Sequence, residues 1–201
     1  MKTQIITLFT ALVLAAGTTS TTFAATANKD DVTVLNDVSN INKIEVRGNV
    51  LLYISDGNAD QVKVYNKYYA ESALVKSRNG VLSIASYKKE QLVVWVKASD
   101  LSAVAAYDNA EVKTFGDVSK IEFNVELHDS ASAQLTFDAI SANVTVADNA
   151  KLDLKGSATE FSLIHSYSST VNRSEFAADK VSEKRNGAPA IVKNDDLTSL
   201  F

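Results

Sequence analysis

The sequence predicts an all-β fold, a parallel β-solenoid (a single-stranded β-helix) with rungs of about 20 residues. One observation is a pattern of alternating apolar residues and a small polar corner, which recurs from Val104, Val125, Val144 and Leu163. A second is the spacing of these starts, 21, 19 and 19 residues, because a fixed period is typical of repeat architectures. A third is the single proline in the chain, since proline deletes a backbone donor that stacked strands need.

Each copy of the pattern has one apolar face. In the second copy, Val125 and Leu127 share one side of a strand, and Glu126 and His128 share the other. One copy cannot bury that face alone, so stacking at roughly 4.8 Å would align equivalent residues into internal ladders. The predicted ladders are Val104, Val125, Val144 and Leu163; Ala106, Leu127, Val146 and His165; and Val112, Ala133, Leu152 and Val171. An antiparallel sandwich would also explain the alternation, but not the recurring corner.

The chain begins with a predicted signal peptide, residues 1–24. Lys2 precedes a short apolar run at 5–16, and Thr22-Phe23-Ala24 places small residues at the two positions that a signal peptidase reads. The run is too short for a permanent membrane anchor. We therefore expect cleavage after Ala24 and no membrane insertion of the mature chain.

The rest of the chain is predicted as a leader at 25–40, with one short strand at 32–35, and a single β-solenoid domain at 41–201. Strands are predicted at 44–46, 50–54 and 62–64 from their alternation. Asn79-Gly80 predicts a tight corner between two further strands. In the next strand, Trp95 lies on the face opposite Leu92, Val94 and Val96. Residues 176–187 predict one or two more rungs, and segments 191–192 and 197–201 would close the end of the stack.

Several of these segments resemble the bacterial head-GIN domain: 48–54, 79–84, 93–96 with the following Leu101, and the copies after it. The resemblance covers residues 41–189. It implies an exported β-solenoid protein of bacterial envelopes, labelled an auto-transporter adhesin, with no known catalytic residues. Members commonly carry Gly-Ser-Gly at the corners, whereas this chain has Asp108-Asn109-Ala110, Asp129-Ser130-Ala131 and Asp148-Asn149-Ala150.

Composition excludes several function classes. The formal net charge of −4 argues against nucleic acid and anionic membranes, because both select basic surfaces. The chain has no cysteine, which excludes thiol catalysis and cysteine-ligated zinc. We expect no cofactor.

The most regular polar feature is the corner at Asp108, Asp129 and Asp148. We expect each carboxylate to cap its own turn through a backbone N–H group. Calcium bridging is the alternative, because stacked rungs would place like charges about 5 Å apart.

Three other polar motifs have structural interpretations. His128-Asp129-Ser130 contains the residue types of a hydrolase triad, but neighbours in a strand point to opposite faces. Residues 56–60 begin like a calcium loop, yet the sixth and twelfth positions are Gln61 and Lys67, so an ordinary turn is predicted. His165 is expected to be buried with a hydrogen bond.

Aromatic residues are the candidates for a binding face. Tyr65, Tyr68, Tyr69, Tyr87 and Trp95 cluster in the N-terminal half. Together they could bind a glycan or a protein, because aromatic rings supply rigid contact area. The alternative is edge packing beneath the 66–73 loop.

The sequence thus predicts an exported, non-enzymatic envelope or surface protein, periplasmic or on the cell surface. It would be an adhesin or binding module that uses a strand face, with an unidentified protein or glycan as partner. The alternatives are a polysaccharide-active β-helix enzyme and a purely structural spacer.

Overall fold

A computed structural model describes residues 32–35, 38–65 and 74–187, and within these ranges the chain forms thirteen strands of one sheet. The strands are β1 (Val32–Leu35), β2 (Lys43–Gly48), β3 (Val50–Asp56), β4 (Gln61–Tyr65), β5 (Leu74–Arg78), β6 (Val81–Ser86), β7 (Leu92–Ala98), β8 (Ala103–Tyr107), β9 (Glu111–Thr114), β10 (Ser119–Leu127), β11 (Ser132–Val146), β12 (Lys151–Ser166) and β13 (Thr170–Asn186). The predicted signal peptide, most of the leader, Tyr68, Tyr69 and the segments 191–192 and 197–201 lie outside the described residues.

The predicted fold class, a parallel β-solenoid with regular rungs, is wrong. The sheet is mixed: β1 and β4, β4 and β7, and β5 and β6 pair antiparallel. Its spatial order also departs from chain order, because β2 lies between β6 and β8, and β3 lies between β7 and β9. Alternation gives the buried face of a strand but neither its direction nor its neighbour, so the periodic pattern could not reveal this arrangement.

The hairpin of β5 and β6 explains one reversal. Asn79 and Gly80 have φ angles of 51° and 81°, which suit the tight two-residue turns that join antiparallel strands. The predicted strands around this corner are confirmed, as is the short strand at Val32–Leu35.

From Ala103 onward the strands are parallel, and the predicted residue pairing is confirmed. Val125 pairs with Val104 on one side and Val144 on the other, and Val144 pairs with Leu163. The other two ladders align in the same way, with partner offsets of 19 to 21 residues. The local register therefore follows the sequence, although the architecture as a whole does not.

The pairings divide the main body into two stacks of strands. The first stack contains β6, β2, β8, β10 and the later halves of β11, β12 and β13. The second stack contains β4, β7, β3, β9 and the earlier halves of β11, β12 and β13. Both stacks contribute to one apolar core, which includes the fully buried Leu52, Val94, Val104 and Val144. The inward side chains of the second stack form part of this core, so its outward side chains form a surface of the protein.

In the described part of the chain, no helix has the length and apolar character needed to cross a membrane.

Candidate functional site: an aromatic groove on the second stack

The groove is built on the outward positions of β4, β7 and β3. Alternation in β7 sends Leu92, Val94 and Val96 into the core, so Trp95 emerges on the outer face. Strand register then places Tyr53 of β3 on one side of Trp95 and Lys63 of β4 on the other. The antiparallel pairing of β4 with β7 thus gives Trp95 a neighbour, Lys63, that a regular stack of parallel copies would not provide.

Trp95 is held by three other aromatic rings. Tyr53 stacks on it, with ring centroids 4.5 Å apart and planes inclined by 23°. Phe115 meets it edge to face, with centroids 5.1 Å apart and an interplanar angle of 65°. Tyr65 is tilted at 60°, with a centroid distance of 6.4 Å. Contacts of this kind stabilise ring orientation beyond simple burial, so the indole is a preorganised wall of the groove.

The groove has a volume of about 550 Å³, within the range of small-molecule sites. It is lined by Ser55, Asp56, Gln61, Lys63, Tyr65, Trp95, Val96, Lys97, Phe115, Gly116 and Asp117. Phe115 is 59% exposed and Tyr65 36% exposed. A cluster of partly exposed aromatic rings beside polar side chains is typical of a binding surface.

One carboxylate of the groove is already neutralised. Asp56 forms an ion pair with the nearly buried Lys120, and its Oδ2 accepts a hydrogen bond from the Ser119 backbone N–H at 2.8 Å. No comparable ion pair joins Lys63 or Lys97 to another residue in the described ranges. The Lys97 side chain lies so close to Gly57 that a Cβ atom there would overlap its aliphatic stem. Glycine in this turn therefore makes room for Lys97.

A second, smaller groove of about 340 Å³ is lined by Tyr53 on its other side. Its lining includes Lys113, Gln134, Asp153 and Lys155. The Lys113 ammonium donates to Glu111 at 2.7 Å, and this hydrogen bond raises the pKa of Lys113 above its ordinary value. The outer face thus changes from aromatic to paired polar residues along the row of strands.

The predicted binding-face residues do not all come together. Trp95 and Tyr65 lie in the groove, whereas Tyr87 is at a distant corner, 73% exposed, and donates to Asp108 Oδ2 at 3.1 Å. This hydrogen bond raises the pKa of the Tyr87 phenol. Sequence reasoning missed Tyr53 and Phe115. Tyr53 could have been predicted from the alternation, because it lies on the outward face of β3 as Trp95 does on that of β7.

The aspartate corner has a structural role that differs from the predicted one. Asp108, Asp129 and Asp148 have φ angles of 60°, 59° and 51°, a left-handed conformation that Asp tolerates better than most residues. The Asp129 carboxylate accepts from the backbone N–H of Asp108 at 3.1 Å, and the Asp148 carboxylate from that of Asp129 at 3.0 Å. The Asp129 and Asp148 carboxylates thus cap the turn of the preceding copy and not their own, whereas the Asp108 carboxylate accepts from the Tyr87 hydroxyl.

The remaining polar motifs show no catalytic arrangement. The His128 ring stacks on Tyr107, with centroids 4.9 Å apart, while the Asp129 carboxylate is engaged with a backbone N–H. His165 is buried, as predicted, and its Nε2 lies 3.0 Å from Glu183. Asp60 accepts from the backbone N–H groups of Ile41 and Ser99, which ties two loops together. Over the described ranges, no group of three or more His, Cys, Asp or Glu side chains is placed to hold a metal ion.

Comparison with known proteins places the chain in a family. Residues 40–192 match the family described as "Putative auto-transporter adhesin, head GIN domain". The chain belongs to this family. The resemblance inferred from the sequence is therefore confirmed. No curated protein matches the chain.

Solved structures of low sequence identity share the fold of this head-GIN protein. A "putative adhesin" from Bacteroides fragilis superposes with a TM-score of 0.70 at 12% identity, covering 78% of this chain and 76% of that one. A "putative adhesin" from Parabacteroides merdae gives 0.64 at 12% identity, with coverages of 77% and 76%. A "putative lipid binding protein" from Parabacteroides distasonis gives 0.57 at 9% identity, with 77% of each chain covered.

Proposed function

We propose that this head-GIN protein is an exported, non-enzymatic binding protein of the cell envelope, and that it binds carbohydrate in the aromatic groove. The observation that carries the proposal is Trp95, fixed by Tyr53 and Phe115 as the wall of a solvent-open groove. A rigid aromatic wall favours binding because little conformational freedom is lost when a ligand docks.

The groove has the chemical features that a sugar needs. The apolar face of a sugar ring packs against an aromatic ring, and its hydroxyl groups require donors and acceptors nearby. Gln61, Ser55 and Asp117 line the groove and supply such groups.

Export is supported by the predicted signal peptide at 1–24 and by the adhesin description of the family. A binding role without catalysis is supported by the carboxylates of the groove. General acid–base hydrolysis of a glycan uses two carboxyl groups with separate roles. Asp56 is paired with Lys120, so among the described residues that line this groove Asp117 is the only other carboxylate.

The test is a glycan array with the purified protein, followed by calorimetry on the glycans that bind. Trp95→Ala is expected to weaken binding by at least about tenfold, because truncation of a central aromatic anchor costs about 2 kcal/mol or more. Tyr167→Ala is the matched control: Tyr167 is an exposed aromatic residue at the corner between β12 and β13, outside the groove, and its loss should leave binding unchanged.

Thermal melting of both variants separates binding from folding. The absence of any bound glycan, or equal binding by wild type and a folded Trp95→Ala variant, would contradict the proposal. Release of new reducing ends from a bound glycan would instead indicate an enzyme.

A further inference from the structure

We propose that the groove selects acidic glycans, with the carboxylate of a uronic acid residue held by Lys63 and Lys97. This inference rests on the proposed carbohydrate function and specifies its ligand class. It is derived from strand register and from the distribution of ion pairs over the outer face.

Strand register brings the two lysines to the same wall. Lys63 pairs with Trp95, and Lys97 lies two residues further along β7, where it pairs with Gln61. Side chains on one face of an antiparallel pair at such diagonal positions have backbones about 7–8 Å apart, within reach of long side chains. Both lysines therefore line the groove beside Trp95, within side-chain reach of a uronic acid ring packed on the indole.

The charge of these two lysines is only partly balanced within the groove. Lys43, Lys113 and Lys155, on the outer faces of the stacks, each contact a carboxylate at 2.7–3.0 Å. Lys63 and Lys97 form no ion pair with a described residue. Of the two carboxylates in the lining, Asp56 is paired with Lys120, which leaves Asp117. The two lysines therefore outnumber the remaining carboxylate, so the groove has an excess of positive charge on a chain whose net charge is −4.

This arrangement favours an anionic ligand. Two ammonium groups in one groove attract an anion, and a bound carboxylate would gain charge-assisted hydrogen bonds from them. A partly enclosed groove also weakens salt screening compared with an open surface. Sulfate esters share this chemistry, so the experiment must distinguish them from carboxylates.

The experiment compares glycans that differ only in charge. Galacturonan and glucuronan oligosaccharides are tested beside their methyl esters, with a sulfated galactan as the third arm. For the wild type, the acid is expected to bind at least about tenfold more tightly than its ester at low salt, and this preference should fall as salt is raised. In Lys63→Gln/Lys97→Gln the acid should bind no better than the ester. Lys184→Gln, an exposed lysine of the first stack, is the control and should behave like the wild type.

The outcomes separate this inference from the proposed function. If acid and ester bind equally well and both depend on Trp95, the proposal of an acidic ligand is wrong, but the proposed carbohydrate function stands. Tighter binding of the sulfated galactan than of both uronans would replace the carboxylate by a sulfate ester and so overturn the assignment to a uronic acid. Failure of every glycan to bind would overturn both proposals.

Discussion

The two halves of the described chain use the same alternation of apolar and polar residues but find their partners differently. In the region from Ala103 to Asn186, each strand pairs with a copy 19 to 21 residues away and in the same direction. In the region from Val32 to Ala98, Lys43 of β2 pairs with Val81 on one side and with Ala103 on the other, 38 and 60 residues away.

The difference matters for the site. In the regular region the outer face carries a row of similar polar residues, such as Gln134, Asp153 and Asn172. In the irregular region an antiparallel strand brings Tyr65 and Lys63 beside Trp95, and the loop after β9, from the other region, adds Phe115. The groove therefore forms where the two regions meet, a place where a rigid scaffold presents irregular segments.

The largest expected effect tests the regular region. Val144 is buried between Val125 and Leu163, so Val144→Asp would place a charge among apolar neighbours without a partner. This should cost several kcal/mol, comparable with the whole stability of a domain, and prevent folding. Thr145→Asp, on the opposite phase of the same strand, should remain folded. Circular dichroism and thermal melting measure both; similar losses would mean that the assigned faces are wrong.

A smaller effect is expected where β11 and β12 approach closely. Gly156 has a φ angle of 107°, and a Cβ atom there would overlap the backbone of Phe137. Gly156→Ala should therefore lower the unfolding free energy by about 2 kcal/mol or more, from steric overlap as well as backbone strain. Gly116 has a φ of 77° but open space around it, so Gly116→Ala reports the strain alone. Denaturant unfolding of the pair measures the difference, and equal losses would contradict a close approach at Gly156.

The aspartate corner should contribute less. Asp129→Ala removes an acceptor for the Asp108 N–H and puts alanine in a left-handed conformation, so a loss of about 1–2 kcal/mol is expected. Asp129→Asn keeps both an acceptor and a residue that tolerates this conformation, and should be nearly neutral. Calcium is expected to leave the melting temperature of the wild type unchanged. A rise in melting temperature with calcium that disappears in Asp129→Asn would show that the corner binds the ion.

The smallest effect is expected at a surface ion pair of the regular region. Lys180 donates to Glu160 at 2.8 Å, and this contact lowers the pKa of Glu160. Because folding lowers the pKa of Glu160, any stabilisation by the ion pair is fully present at pH values above the pKa that Glu160 has in the unfolded chain. The stabilisation is lost as the pH falls through the lower pKa of the folded state. Both side chains are largely exposed, so Lys180→Gln should not change the melting temperature measurably at neutral pH. If Lys180→Gln clearly lowered the melting temperature at neutral pH and also in strong acid, Lys180 would act through packing and not through its charge.

The sequence by itself determined the face of each strand and the local register of the repeated part. Alternation identified Val104, Val125, Val144 and Leu163 as one buried ladder, and the same reasoning placed Trp95 on the outside. The left-handed corners also follow from local chemistry, because Asp is among the few residues that adopt this conformation readily.

Only the tertiary structure decided which strands are neighbours and in which direction they run. A strand with a given apolar face can pair in parallel or antiparallel with any partner that buries that face, and the choice depends on packing between segments far apart in the chain. The position of β2 between β6 and β8 therefore could not be predicted from the repeat of about 20 residues. The same holds for the site, whose residues are widely separated in sequence: Tyr53, Lys63, Trp95 and Phe115. The pairing of β7 with both β3 and β4 brings the first three together, and the loop after β9 adds Phe115.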